Sequence, residues 1–257
     1  MPALGISGPA AAMVICQGLG ALYLAAHLLR GRGGVRLYVQ ACSWGPITNI
    51  MRVGGLGRIN SLSIALTIIV VTGFVGRYGI EALAGYGLGA RLEFMLIPIA
   101  FGMGGALTAA VGTNFGASQF ARARRVAVAG TAVTAATTGA IGGSVFFAPS
   151  LWLDLFTSDP KVYAYGVFYL SIAAPFYGLF GGGQTLYFAS QRTGKISWPV
   201  TVGVIRLSVV SSIGALALAY SWEVSVVFFG VSIGMAIIGV GLLLCLRSHA
   251  WCPAKSD

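Results

Sequence analysis

Long apolar runs separated by short polar segments make up most of the chain. A helix that crosses the hydrocarbon core of a bilayer needs about 20 predominantly apolar residues. Seven runs approach or exceed this length, and they cover residues 3–29, 59–75, 94–111, 126–148, 163–189, 198–220 and 224–246. The pattern predicts an all-α, polytopic integral membrane protein with about seven transmembrane helices.

The loops between these runs alternate between strongly basic and nearly balanced charge. Cytoplasmic loops of membrane proteins are enriched in Lys and Arg, so we expect the odd-numbered loops and the C-terminus on the cytoplasmic side and the N-terminus outside. The basic residues of those segments are Arg30, Arg32, Arg36, Arg52, Arg58, Arg122, Arg124, Arg125, Arg192, Lys195, Arg247 and Lys255.

Run lengths and loop charges together predict four segments. In chain order they are a single membrane helix, a basic cytoplasmic linker, a six-helix bundle and a cytoplasmic tail. Their ranges are 1–29, 30–58, 59–246 and 247–257.

The predicted linker contains apolar residues at helical spacing. Trp44, Ile47, Ile50 and Met51 fall on one face of a helix, which is typical of a short helix lying in the membrane interface. A disordered linker is the alternative.

Composition agrees with a membrane protein and excludes a soluble domain. Hydrophobic residues make up 57% of the 257 residues and charged residues only 9%, whereas a soluble domain is about one quarter charged. The net charge of +10 is spread over short loops, so we expect the lipid bilayer as partner and no nucleic acid.

Sequence signatures of catalysis and metal binding are missing. The chain has no Gly-x-Ser-x-Gly, His-Glu-x-x-His or Walker A motif. Its four cysteines form no Cys-x-x-Cys pair, and His27 and His249 complete no ligand cluster. We therefore expect no enzymatic activity, no metal site and no cofactor.

Three polar residues in or near the runs are candidates for a binding site. Arg206 lies about eight residues into the sixth run; a buried cation marks a pathway or a paired site, although its side chain could also reach the membrane surface. Asn60 and Gln184 suit either hydrogen bonds between helices or contact with a substrate.

Acidic residues are expected only outside the middle of the spans. Proton- or sodium-coupled carriers normally place an acid inside the membrane. Glu93 comes closest, at the start of the third run, but Arg91 lies two residues away. The pattern predicts that these two side chains neutralise each other at the interface, and that the chain alone does not drive uphill efflux.

Glycine pairs and one proline predict features of helix packing. Three pairs have the four-residue spacing found at close helix crossings, namely Gly85 with Gly89, Gly112 with Gly116, and Gly230 with Gly234. Pro175 interrupts the fifth run, and a proline inside a helix frees a carbonyl group and bends the helix.

Several glycine-rich and basic segments recur along nearly the whole chain. They are Leu4-Gly-Ile-Ser-Gly-Pro-Ala-Ala-Ala12, Glu81-Ala-Leu-Ala-Gly-Tyr-Gly-Leu-Gly-Ala-Arg-Leu-Glu93, Phe101-Gly-Met-Gly-Gly-Ala106, Val111-Gly-Thr-Asn-Phe-Gly-Ala117, Arg122-Ala-Arg-Arg125, Leu186-Tyr-Phe-Ala-Ser-Gln-Arg-Thr-Gly-Lys195 and Trp198-Pro199 with Arg206. Together these segments resemble the multidrug and toxic compound extrusion (MATE) family. They are similar to the sixth helix of that family, to the first two helices of its second lobe with the loop after them, and to its tenth helix with the following loop.

The resemblance implies a fold and an activity. MATE proteins have twelve helices in two lobes, so this chain would supply the second lobe and the last helix of the first. The implied function is secondary active efflux in the bacterial inner (plasma) membrane, as antiport of a small amphipathic or cationic organic substrate against H⁺ or Na⁺. The candidate binding residues are then Asn60, Gln184, Tyr187, Arg206 and Glu93.

Two other functions remain open at this point. The first five helices of the family have no counterpart here, which suits an incomplete, transport-inactive or structural membrane protein. A seven-helix receptor also fits the number of runs. A lobe without its partner would expose its cleft-facing surface, so we expect the missing first lobe or a second copy of the chain to cover it.

The topology can be tested by cysteine accessibility. A cysteine introduced into the third loop, at residues 118–125, should react with a membrane-impermeant reagent only from the cytoplasmic side, because this loop carries three arginines. Reaction from the outside alone would contradict the predicted orientation.

Overall fold

The computed structural model describes residues 7–30, 44–190 and 197–246. Within these residues the chain forms α-helices and one short 3₁₀ turn, and no strand. The helices are α1 (Ser7–Leu29), α2 (Trp44–Gly76), α3 (Ile80–Gly116), α4 (Phe120–Phe147), α5 (Ser150–Leu153), α6 (Pro160–Ala173), α7 (Tyr177–Ser190), α8 (Ser197–Ala219) and α9 (Val224–Cys245).

Within the described residues, six segments are long and apolar enough to cross a membrane, which confirms the predicted all-α, multi-pass architecture. The remaining predicted span, residues 59–75, falls in α2, whose apolar part Ser61–Gly76 is shorter than the other spans. The six segments are Ala11–Leu29, Ile80–Gly116, Phe120–Phe147, Pro160–Ser190, Trp198–Ala219 and Val224–Leu244.

The chain divides into two compact units, Met1–Asn49 and Ile50–Asp257. The first contains α1 and the start of α2, and the second contains the other helices. Helix α2 begins at Trp44 and continues unbroken to Gly76, so the residues expected to form an interfacial helix are its first turns. The rest of the predicted linker, residues 31–43, and the predicted tail lie outside the described residues. The four-segment division and the interfacial location stay predictions.

The third span is much longer than its apolar run. Helix α3 begins at Ile80, so the expected start at residue 94 is wrong. Gly79 precedes the helix with φ of 116°, a conformation that glycine adopts without steric cost. The helix therefore includes residues 80–93, whose polar side chains had suggested a loop.

The fifth span is discontinuous at the predicted proline. Helices α6 and α7 are joined by a 3₁₀ turn, Ala174–Phe176, that contains Pro175. At the other end of α6, the side chain of Asp159 accepts a hydrogen bond from the backbone N–H of Lys161 at 2.8 Å, which caps the helix.

Glycines bring the helices of the second unit close together. Gly85 on α3 faces the backbone of Gly166 on α6, and Gly183 on α7 faces Gly239 on α9. Gly142 on α4 lies against the carbonyl oxygen of Ala174 in the 3₁₀ turn. Small residues allow such close backbone packing, which stabilises helix association where no hydrophobic effect operates.

Adjacent glycines on α4 allow a matched test of this packing. Gly142→Ala should destabilise the bundle by roughly 1–3 kcal/mol, because its Cβ would clash with the Ala174 carbonyl oxygen. Gly143→Ala is the control, since no heavy atom lies within 4 Å of its Cβ position. Thermal unfolding in detergent should show a lower midpoint for the first variant only; equal midpoints would contradict the packing.

Candidate functional site

Glu93 lies within the candidate membrane span Ile80–Gly116, away from its start. It is preceded by thirteen residues of α3, which begins at Ile80, and at 1.5 Å per residue this places it about 20 Å from the helix start. The expectation that Glu93 sits at the start of its span is therefore wrong. The prediction that acidic residues lie only outside the middle of the spans is wrong for the same reason.

Two tyrosines surround the Glu93 carboxylate. The Tyr169 hydroxyl on α6 donates a hydrogen bond to Glu93 Oε1. The Tyr177 side chain on α7 is fully buried, and its hydroxyl lies close enough to interact with the Glu93 carboxylate. Around them, the Tyr169 ring packs edge-on against Tyr86 and Phe228, with ring centroids 5.1 Å and 5.0 Å away.

A glycine on α3 makes room for this hydrogen bond. Gly89 precedes Glu93 by one helical turn, so both face the same side of α3. A Cβ at Gly89 would overlap the Tyr169 ring. The Gly85 and Gly89 pair thus marks the crossing of α3 and α6 that brings Tyr169 to Glu93.

Arg91 does not neutralise Glu93. Residues two apart on a helix do not face each other, and the Arg91 guanidinium lies 5.8 Å from the centroid of the Phe156 ring. The ion pair found among the described residues is between Lys161 and Glu81, at 3.8 Å. The predicted pairing of Arg91 with Glu93 at the interface is wrong.

Arg206 is buried in the bundle near the middle of α8. It is only 8% exposed, so its side chain does not reach the membrane surface. Its Nη2 donates to Thr67 Oγ1 on α2 at 3.1 Å, whereas its Nε has no hydrogen-bond partner. A Cβ at Gly234 on α9 would lie 3.2 Å from Arg206 Cγ, so this glycine gives space to the arginine stem.

Glu93 and Arg206 line the same cavity. The cavity has a volume of about 70 Å³ and lies between α2, α3, α7, α8 and α9, with Thr67 and Tyr86 as further polar residues in its wall. Within the described part of the chain the two charged groups form no ion pair within 4 Å, yet they attract each other across the cavity. At about 30 Å³ per molecule, the space suits roughly two waters or a small cation.

The other predicted candidates lie beside this cavity, with one exception. Gln184 and Tyr187 on α7 line a narrow space that shares Ile64 and Arg206 with the cavity. Asn60 belongs to α2, but its side chain lies outside the described residues. The structure therefore places three candidates, Glu93, Gln184 and Tyr187, in spaces that the fourth, Arg206, also lines.

Tyr169 and Tyr177 were not among the site residues predicted from the sequence. Tyr169 lies 76 positions beyond Glu93, and no local spacing links the two residues. The available signal was that both tyrosines flank the break at Pro175, because discontinuous helices often line cavities in transporters.

The sequence model of the MatE family matches residues 59–216, which is more than half of the chain. The chain belongs to the MatE family. Membership in this family excludes the alternative hypothesis of a seven-helix receptor.

Two relatives are named as multidrug resistance proteins. Over 250 residues the chain is 26% identical to "Probable multidrug resistance protein YoeA" of Bacillus subtilis, covering 95% of this chain and 53% of YoeA. Over 207 residues it is 24% identical to "Probable multidrug resistance protein NorM" of Thermotoga maritima, covering 80% of this chain and 45% of NorM. The chain thus spans about half the length of these curated relatives.

Solved MATE structures share the fold. A mutant of the Vibrio cholerae MATE transporter VcmN superimposes with a TM-score of 0.84 at 21% identity, over 96% of this chain and 58% of VcmN. The MATE transporter ClbM, in a complex with Rb⁺, gives 0.76 at 22% identity over 100% of this chain and 57% of ClbM.

A double-mutant cycle tests whether Glu93 and Arg206 stabilise each other. Arg206→Met and Glu93→Gln should each lower the thermal midpoint in detergent, because each leaves a buried charge without its counterpart. The double variant should be more stable than the sum of the two effects predicts, by roughly 0.5–3 kcal/mol. Strictly additive effects would show that the two groups do not interact.

Proposed function

We propose that this chain forms part of a secondary active efflux transporter that exchanges small amphipathic or cationic organic compounds for a cation. Family membership, the names of the relatives and the cavity of Glu93 and Arg206 support this function. The observation that carries it is the carboxylate inside a membrane span, because such acids are costly in lipid and mark the pathways of ions and substrates.

The cavity offers a simple way to couple a cation to a change of conformation. A proton or Na⁺ that reaches Glu93 competes with Arg206 and with the Tyr169 hydroxyl for the carboxylate. In one conformation these groups would hold the carboxylate, and in another they would release it. A cation that binds the released carboxylate more tightly then shifts the conformational equilibrium toward the second conformation. H⁺ and Na⁺ both suit this scheme.

Transport of this kind requires a second body. We propose that the bundle rocks against another lobe, or against a second copy of the chain, around a shared cleft. The proposed setting is the bacterial inner membrane, with the N-terminus outside and the C-terminus in the cytoplasm, as the loop charges predict.

A transport-inactive or structural role is the second candidate. The chain spans about half the length of these relatives. Dye movement that never depends on an imposed gradient would favour this candidate over efflux.

The transport proposal can be tested in proteoliposomes with a fluorescent cationic dye. Glu93 lies inside the candidate span, and a second copy of the chain could supply the second body that transport requires. We therefore expect gradient-dependent dye accumulation, whereas the sequence predicted inactivity. Glu93→Gln should abolish the dependence on an imposed proton or sodium gradient, since it removes the charge that the cation would meet.

Glu81→Gln is the matched control for this assay. Glu81 is on the same helix, but its side chain is 45% exposed and pairs with Lys161 at the surface. This variant should keep the gradient dependence. Full gradient dependence in Glu93→Gln, or an equal loss in both variants, would refute the assigned role of Glu93.

A further inference from the structure

A second cavity lies in the bundle, away from Glu93 and Arg206. It has a volume of about 300 Å³ and lies between α4, α7 and α9. Apart from Thr131, its wall consists of aliphatic side chains and glycines. An apolar cavity of roughly 150 Å³ is enough to bind benzene, so this one can accept a section of an alkyl chain.

The cavity opens beside a basic surface at the start of α4. Arg124 and Arg125 line a wide depression that shares Val128 with the apolar cavity. In the described residues no acidic side chain lines either space.

These residues lie on one stripe of α4. Residues three, four and seven apart share a helix face, and this spacing leads from Arg124 and Arg125 through Val128 to Ala132 and Ala135. The stripe begins with positive charge near the end of the helix and becomes apolar toward its middle. Its polarity therefore follows that of a phospholipid, from headgroup to acyl chain.

One buried polar group gives this cavity a further feature. Thr131 is 6% exposed, lines the apolar cavity, and its hydroxyl has no hydrogen-bond partner. It lies six residues after Arg125, or about 9 Å along the helix.

We propose that this face of α4, α7 and α9 binds an anionic phospholipid, with its phosphate at Arg124 and Arg125 and one acyl chain in the cavity. Lipid tails are as apolar as the cavity wall, so the acyl chain alone gives no preference over the surrounding bilayer. The two arginines supply the selectivity, because basic pockets between membrane helices hold anionic headgroups. This proposal does not depend on transport.

Native mass spectrometry of the full chain in detergent can test the site. The probes are phosphatidylglycerol and phosphatidylcholine with identical acyl chains, and we expect preferential retention of phosphatidylglycerol. Arg124→Gln/Arg125→Gln should weaken its binding on the order of twentyfold, since each arginine near anionic lipid contributes about fivefold.

Two further variants separate the headgroup from the acyl chain. Arg122→Gln removes the same charge from the same turn of α4, but Arg122 does not line the depression; binding should fall by less than about threefold. Ala132→Phe places a ring at the exposed edge of the cavity and should weaken phosphatidylglycerol binding while both arginines remain.

Three results would overturn the proposal. The first is equal binding of the two lipids, and the second is an equal loss in Arg122→Gln and in the double variant. The third is a lipid-free dimer of the wild-type chain, which would show that a second copy covers this face.

Discussion

A carboxylate and a guanidinium lie inside the helical bundle, and both are costly in a bilayer unless polar groups surround them. Glu93 receives a hydrogen bond from Tyr169, and Arg206 donates one to Thr67. Each partner comes from a different helix, so the charges are tolerated only when α2, α3, α6 and α8 pack together. The need to accommodate these two charges therefore links the packing of the lobe to its candidate site.

The glycines of the spans make this arrangement possible. Gly89 lets the Tyr169 ring lie over α3, and Gly234 leaves space for the stem of Arg206. A larger side chain at either position would separate the helices or displace the polar group. Helix association and placement of the site thus depend on the same small residues, which is consistent with packing driven by close backbone approach.

Much of the fold was predictable from sequence because membrane spans depend on local composition. The apolar runs indicated the spans, and Pro175 indicated the break between α6 and α7. The glycine spacing indicated close crossings at Gly85 and Gly89 and at Gly230 and Gly234, whereas a Cβ at Gly116 would meet no heavy atom within 4 Å. The start of α3 was not predictable in this way. Arg91 and Glu93 are charged and precede the apolar run, so they suggested the end of a loop. Their partners Phe156 and Tyr169 lie far along the chain, and no local pattern indicated that both residues belong to the helix. The position of Arg206 was ambiguous for the same reason, since only the fold brings Thr67 beside it.

The proposed function depends on Glu93 lying within the bilayer rather than at its surface. Chemical labelling of carboxylates in proteoliposomes, followed by peptide mass spectrometry, tests this most directly. A hydrophobic carbodiimide that partitions into lipid should modify Glu93, whereas a water-soluble, membrane-impermeant carbodiimide should modify the exposed Glu81 and leave Glu93 unchanged. Modification of Glu93 by the water-soluble reagent to the same extent as Glu81 would contradict the account.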